Sequence, residues 1–119
     1  MILTLKRLEI TVLLLHMSIM RNSVKKWFKK AYGSKEGKEL TKRFDEVKKQ
    51  FESQIEQEES NFNFNINEFD MIYTFVMWYK PKLEEMLKAA GKVKEEDQGQ
   101  LNCLQDIISH MEEVKKLYA

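Results

Sequence analysis

Gly33, Gly37, Pro81, Gly91 and Gly99 are the only glycines and the only proline among 119 positions. Strands joined by tight turns normally need many more such residues, whereas long helices linked by a few short loops need few. The apolar spacing agrees with helices. Leu5, Leu8, Val12, Leu15 and Ile19 recur at helical intervals, and Val24, Trp27, Phe28 and Ala31 continue the pattern as far as Gly33. Gly33 is suited to the left-handed conformation that ends a helix. Leu40, Phe44, Val47, Phe51 and Ile55 then form a second amphipathic stripe.

Self-comparison supplies the next constraint. Shifting the chain by 61 positions lays Leu3–Ile10 on Phe64–Met71 with matching polarity, and lays Leu40, Asp45 and Glu52 on Leu101, Asp106 and Glu113. Thr4 and Asn65 then fall together as N-cap residues, flanked by staple pairs Leu3/Leu8 and Phe64/Phe69. Asn65-x-x-Glu68 adds a capping-box pair that Thr4-x-x-Arg7 lacks. The spacing therefore predicts an all-α fold, a four-helix arrangement of two duplicated helical hairpins within a single domain, 1–119. The helices are expected at about 4–32, 37–57, 66–90 and 98–118, the third kinked near Pro81 where the amide is missing. Asp97-x-x-Gln100 opens the fourth. Residues 1–58 form the first hairpin, 65–119 the second, and 59–64 the linker.

The helix openers are more apolar than a bundle surface needs. Only Thr11, His16 and Ser18 are polar within Ile10–Met20, and Thr74 is the one small polar residue within Met71–Tyr79. Either these helices pack centrally on each other, or part of this surface meets another copy or a different protein. Trp27, Trp78 and Tyr79 are the aromatic residues to watch as interface anchors.

Charge is distributed unevenly. Residues 1–50 hold 13 Lys and Arg against 5 Asp and Glu, and residues 51–119 hold 7 against 14, so halves of net +8 and −7 make the overall +1. The plainest expectation is that the halves attract each other within one fold; the other is that separate faces meet separate partners. The basic excess concentrates in residues 21–49, where Arg21, Lys25 and Lys29 share a helix face with Lys26 and Lys30 beside them, and Lys42, Arg43, Lys48 and Lys49 follow. Such a ridge suits phosphates, with Trp27 or Tyr32 available for stacking. Lysines late in a helix also favour its dipole. Glu52, Glu56, Glu58 and Glu59 fall late in the expected second helix, where the dipole disfavours them.

Enzyme chemistry finds little support. His16 and His110 lie on different helices within apolar stretches, and a single helical histidine is usually a core or boundary residue rather than a metal ligand. Cys103, flanked by Asn102 and Leu104, reads as a small buried apolar residue. There is no Gly-x-Ser-x-Gly, phosphate-binding loop or dinucleotide fingerprint. No catalytic residue, cofactor or metal is expected. Cys103 cannot form an internal disulfide, Glu9 and His16 interrupt the N-terminal apolar run, and no stretch reaches the roughly 18 uninterrupted apolar residues of a membrane span. A cytoplasmic location is therefore expected.

In overall pattern, including Leu3–Leu15 and Asn61–Asn67, the chain resembles the small Lys-, Glu- and Asn-rich helical proteins that phages and mobile elements of AT-rich bacteria encode. Many of those act stoichiometrically, by occluding a host enzyme or a defence system, so the resemblance implies an inhibitor working in the host cytoplasm. The expectation is a non-enzymatic protein-binding module that meets an acidic surface through Arg21, Lys25, Lys29, Lys30 and Arg43, with Trp27, Trp78 and Tyr79 as anchors. Nucleic-acid or nucleotide binding through the ridge of residues 21–49 is the alternative, and a structural homodimer the third.

Overall fold

The computed structural model describes residues 1–91 and 93–118. In chain order they form strand β1 (Ile2–Lys6), helix α1 (Arg7–Glu52), strand β2 (Glu59–Asn63), helix α2 (Ile66–Ala89) and helix α3 (Glu95–Tyr118). Three helices and a two-stranded antiparallel sheet thus replace the expected four helices in two hairpins.

The two strands account for the largest correction. Leu3-Thr4-Leu5 does not cap a helix, and residues 59–63 are not a linker. Both segments alternate, with Leu3, Leu5, Ser60 and Phe62 buried on one face and Thr4, Asn61 and Asn63 exposed on the other, the period-two pattern of a half-buried strand. They pair in a register that sets Leu3 opposite Phe62 and Thr4 opposite Asn61. The Thr4 hydroxyl donates to Asn61 Oδ1 at 2.6 Å across the exposed face. On the buried face, Phe62 stacks on Phe64 with ring centroids 5.8 Å apart, and Phe51 from the end of α1 meets Phe62 edge-on at 4.8 Å.

A strand followed by a helix occurs twice, and the equivalence differs by two residues from the one the sequence suggests. The N-cap of α1 is Lys6, whose backbone amide donates to Glu9 Oε1 at 2.8 Å; the N-cap of α2 is Asn65, whose amide donates to Glu68 Oε1 at 3.0 Å. Asn65 also accepts from the Glu68 amide, so the expected capping box is present. With Lys6 matched to Asn65, the buried Leu3, Leu5, Ile10, Leu13 and Met17 match the buried Phe62, Phe64, Phe69, Ile72 and Val76.

A straight helix of 46 residues would be about 69 Å long, yet the longest dimension of the molecule is 41 Å. Helix α1 therefore folds back, and Gly33 is where it does so: φ 86° and ψ 173° are non-helical and essentially confined to glycine. The limb before Gly33 and the limb after it lie side by side. A Cβ built on Gly37 would come within 2.9 Å of Lys29 Cα, so the backbones are in direct contact there. Further along, Arg21 clasps Asp45 through two hydrogen bonds of 2.8 Å.

Helix α1 ends at Glu52 rather than near 57, so Glu56, Glu58 and Glu59 lie beyond it and do not oppose its dipole. The Arg7 guanidinium donates instead to the carbonyls of Glu56 and Gln57 in that turn. Helix α2 runs through Pro81 without interruption, and α3 begins at Glu95, three residues earlier than expected. The core is continuous, from the Phe51, Phe62 and Phe64 cluster through Leu13 and Met17 to Val76, Leu104, Ile107 and Met111. The apolar opener of α1 is covered on most sides, which leaves Leu8, Leu15 and Ile19 as an exposed stripe.

Candidate functional site

The helix spacing that builds the core also assembles an open apolar cleft. Val24, Trp27 and Phe28 stand on one face of the first limb of α1, Leu40, Arg43 and Phe44 on the second limb, and Asn67, Met71, Thr74, Phe75 and Trp78 on α2. Each set repeats at intervals of three and four, which places it on a single helical face. The three faces enclose about 280 Å³. Phe28, Phe44 and Phe75 are buried and form its floor, with Phe44 edge-on to Phe75 at 5.8 Å. Trp27 and Trp78 rise from the floor and remain 50% and 40% exposed. Tyr32 stands edge-on to Trp27 at 5.9 Å, and Lys82 Nζ lies 5.1 Å from the Trp78 ring centre. Arg43 and Asp70 add one charge of each sign to the lining, and neither has an ion-pair partner among the described residues.

A second concavity lies between the two limbs of α1, on their other side. Lys25 and Lys29 line it from the first limb and Lys38, Lys42 and Lys49 from the second, around the close approach at Gly37. Residues two positions apart on a helix point in nearly opposite directions, so Lys25 and Lys29 face away from Trp27. The expected combination of basic ridge and aromatic anchors on one surface is thereby divided between two.

The other expected site residues fall differently. Arg21 is occupied: its guanidinium holds the Asp45 carboxyl below the usual carboxylate range, chiefly through their hydrogen bonds. Tyr79 is buried, with its hydroxyl 2.7 Å from His16 Nδ1. Lys30 is exposed and lines neither concavity. Thus Trp27, Arg43 and Trp78 come together in the cleft, Lys25 and Lys29 in the groove, and Arg21, Lys30 and Tyr79 in neither.

The anticipated attraction between the halves of the chain does not take the form of ion pairs. Among the described residues, no Lys or Arg of residues 1–50 pairs with an Asp or Glu of residues 51–119. Among the described residues the halves are instead linked by His110 Nε2, which lies 2.9 Å from the buried Glu9 carboxylate in hydrogen-bond contact.

His16 is buried within a closed hydrogen-bond network. Its Nε2 is 2.6 Å from Gln100 Oε1, which can only accept, so Nε2 carries the proton and Nδ1 accepts from the Tyr79 hydroxyl. The neutral ring satisfies every partner, and burial lowers its pKa below the ordinary value. Burial likewise raises the Tyr79 hydroxyl and the Cys103 thiol. Among the described residues no three His, Cys, Asp or Glu side chains are grouped to hold a metal, and no helix is long and apolar enough to cross a membrane.

Asp70 and the aromatic floor are absent from the sequence-based set of site residues. The signal for them is the second periodicity of α2: Asn67, Met71, Thr74, Phe75 and Trp78 line the cleft, whereas Phe69, Ile72 and Val76 enter the core. No family model, no curated protein and no solved structure matches this chain.

Proposed function

We propose that this chain is a non-enzymatic protein-binding module that docks a segment of a partner protein in the aromatic cleft. The observation that carries the reading is the pair of half-exposed tryptophans, Trp27 and Trp78, standing above a buried phenylalanine floor. Exposed aromatic side chains around a desolvated apolar floor are what interface hot spots are made of, and keeping both rings partly in water has no benefit for folding. The volume of about 280 Å³ is just below the range of roughly 300 to 1,000 Å³ usual for small-molecule sites, and suits a large side chain and its neighbour. Charge narrows the partner further. The unpaired Arg43 matches an acidic group next to the apolar anchor, and Asp70 matches a basic one.

In this reading the protein acts stoichiometrically in the cytoplasm, covering a surface of its partner. That is the mode suggested by its resemblance to phage- and mobile-element-encoded helical proteins. The test is comparative capture from lysate with three baits: the native chain, Trp27→Ala/Trp78→Ala, and Lys25→Glu/Lys29→Glu. The proposal expects a specific protein retained by the native chain and the lysine variant and lost from the tryptophan variant. Loss of a hot-spot side chain weakens binding by about 2 kcal/mol or more, roughly thirtyfold. A protein held equally by all three baits contradicts the cleft. A native mass spectrum showing a dimer that Trp27→Ala/Trp78→Ala dissociates makes the occupant a second copy, and refutes a foreign partner.

A further inference from the structure

We infer that the lysine-lined groove between the two limbs of α1 is a second binding site, independent of the cleft, that takes the phosphodiester backbone of a nucleic acid. The groove encloses about 660 Å³, and five lysines line it: Lys25, Lys29, Lys38, Lys42 and Lys49. None of the five has an ion-pair partner among the described residues. Two carboxylates face them. Asp45 is already clasped by Arg21, which leaves Glu46 as the one uncommitted acid of the groove.

The fold holds these like charges close together. Gly37 has no side chain, so the limbs approach until backbone meets backbone at Lys29. Lysines from opposite limbs then border one groove, where Asp45, shared with Arg21, and Glu46 offset only part of five positive charges. An external polyanion supplies the rest. Lys25 and Lys29, like Lys38 and Lys42, are four residues apart, so each pair spans about 6 Å along its limb. The charges therefore form two parallel tracks, which suits a linear ligand with regularly repeated negative groups.

The residue types of the lining distinguish a nucleic acid from an acidic protein. Ser34, Gly37 and Thr41 complete the groove, the Thr41 hydroxyl donates to the Gly37 carbonyl at 2.8 Å, and among the described residues no aromatic, Leu, Ile, Val or Met side chain lines it. A protein interface needs such anchors at its centre. Phosphate contacts need only cation density, and they position a strand without reading its sequence. The groove is accordingly expected to bind without base specificity.

The test is fluorescence anisotropy of fluorescein-labelled 20-mer DNA and RNA, single-stranded and duplex, titrated with the full chain between 20 and 200 mM salt. Log affinity is expected to fall linearly with log salt, with a slope whose magnitude is at most about 4.5 for five phosphate contacts. Lys25→Glu/Lys29→Glu lowers affinity at least tenfold and reduces the slope by about 2, one for each phosphate that a lysine no longer neutralises. Lys94→Glu/Lys116→Glu, which changes net charge equally away from the groove, leaves the slope unchanged. Trp27→Ala/Trp78→Ala also leaves it unchanged, which separates this inference from the cleft proposal. If the groove variant fails to fold by circular dichroism, Lys25→Gln/Lys29→Gln is read in its place. Three results overturn the inference: no binding at 20 mM salt, equal weakening in both charge-reversal variants, or displacement of the oligonucleotide by polyglutamate at equal charge concentration.

Discussion

The close approach of the two α1 limbs at Gly37 predicts that one substitution, glycine to alanine, has three different outcomes at three positions. Gly99 lies within α3 with nothing within 4 Å of a built Cβ, so Gly99→Ala gains helix propensity alone, about 0.8 to 1 kcal/mol. Gly37 is also helical and gains the same amount. However, its Cβ would stand 2.9 Å from Lys29 Cα, 3.0 Å from Lys29 N and 3.1 Å from the Phe28 carbonyl carbon. These are backbone atoms that move only if the limb moves, and overpacking of this kind costs about 1 to 3 kcal/mol. Gly33→Ala meets no atom but forces a side chain into a glycine-only region, at about 1 to 3 kcal/mol. An unfolding entropy of about 2.1 cal/mol/K per residue gives about 250 cal/mol/K for 119 residues, so 1 kcal/mol shifts Tm by about 4 °C. Differential scanning calorimetry should place Gly99→Ala about 3 to 4 °C above the native chain and Gly33→Ala about 4 to 12 °C below it. Gly37→Ala should melt about 4 to 12 °C below Gly99→Ala, a comparison in which the propensity gain cancels. Equal Tm values for Gly37→Ala and Gly99→Ala would refute the backbone contact, and with it the geometry of the lysine groove.

Three further outcomes follow from buried groups and the helix interior. His16 is held neutral below the ordinary pKa of about 6.5, so the unfolded chain binds a proton that the folded chain does not. Stability conferred by this network is complete above about pH 6.5 and is lost as the pH falls through the window below it. Urea titrations of the native chain and His16→Gln should therefore converge as the pH drops from about 7 to about 5, and parallel curves would contradict the assignment. Glu9→Ala removes the acceptor shared by the Lys6 amide and His110, which should lower stability by about 1 to 3 kcal/mol by chemical denaturation. Pro81 lies exposed in the middle of α2 and offers no amide to the Met77 carbonyl, so Pro81→Ala should raise stability by about 1 to 3 kcal/mol.

Signals in the sequence are legible where they act locally. The Asn65-x-x-Glu68 box starts α2 as expected, Gly33 reverses the chain, and His16 and Cys103 are buried. The strands escape a local reading because five-residue strands draw their stability from a partner almost sixty positions away, and because Thr4 with Leu3 and Leu8 imitates a capped helix start. Two clues are nonetheless present: Leu3 and Leu5 alternate with polar neighbours, as do Phe62 and Phe64. The site is legible only in part for a similar reason. Composition shows that residues 21–49 are basic and that Trp27 and Trp78 are unusual, but a helical wheel around α1 is needed to see that Trp27 and Lys25 point apart. Only the packed structure shows that Arg21 belongs to Asp45 and Tyr79 to His16.

The most direct test of the cleft is photo-crosslinking in cells that express the protein with benzoylphenylalanine at one of two positions. Thr74 lies on the cleft lining, and Gln105 is an exposed residue of α3 outside it. The docking account predicts a discrete adduct with a foreign polypeptide from position 74 and none from position 105. An adduct of twice the chain's own mass, the same adduct from both positions, or none from position 74 would contradict it.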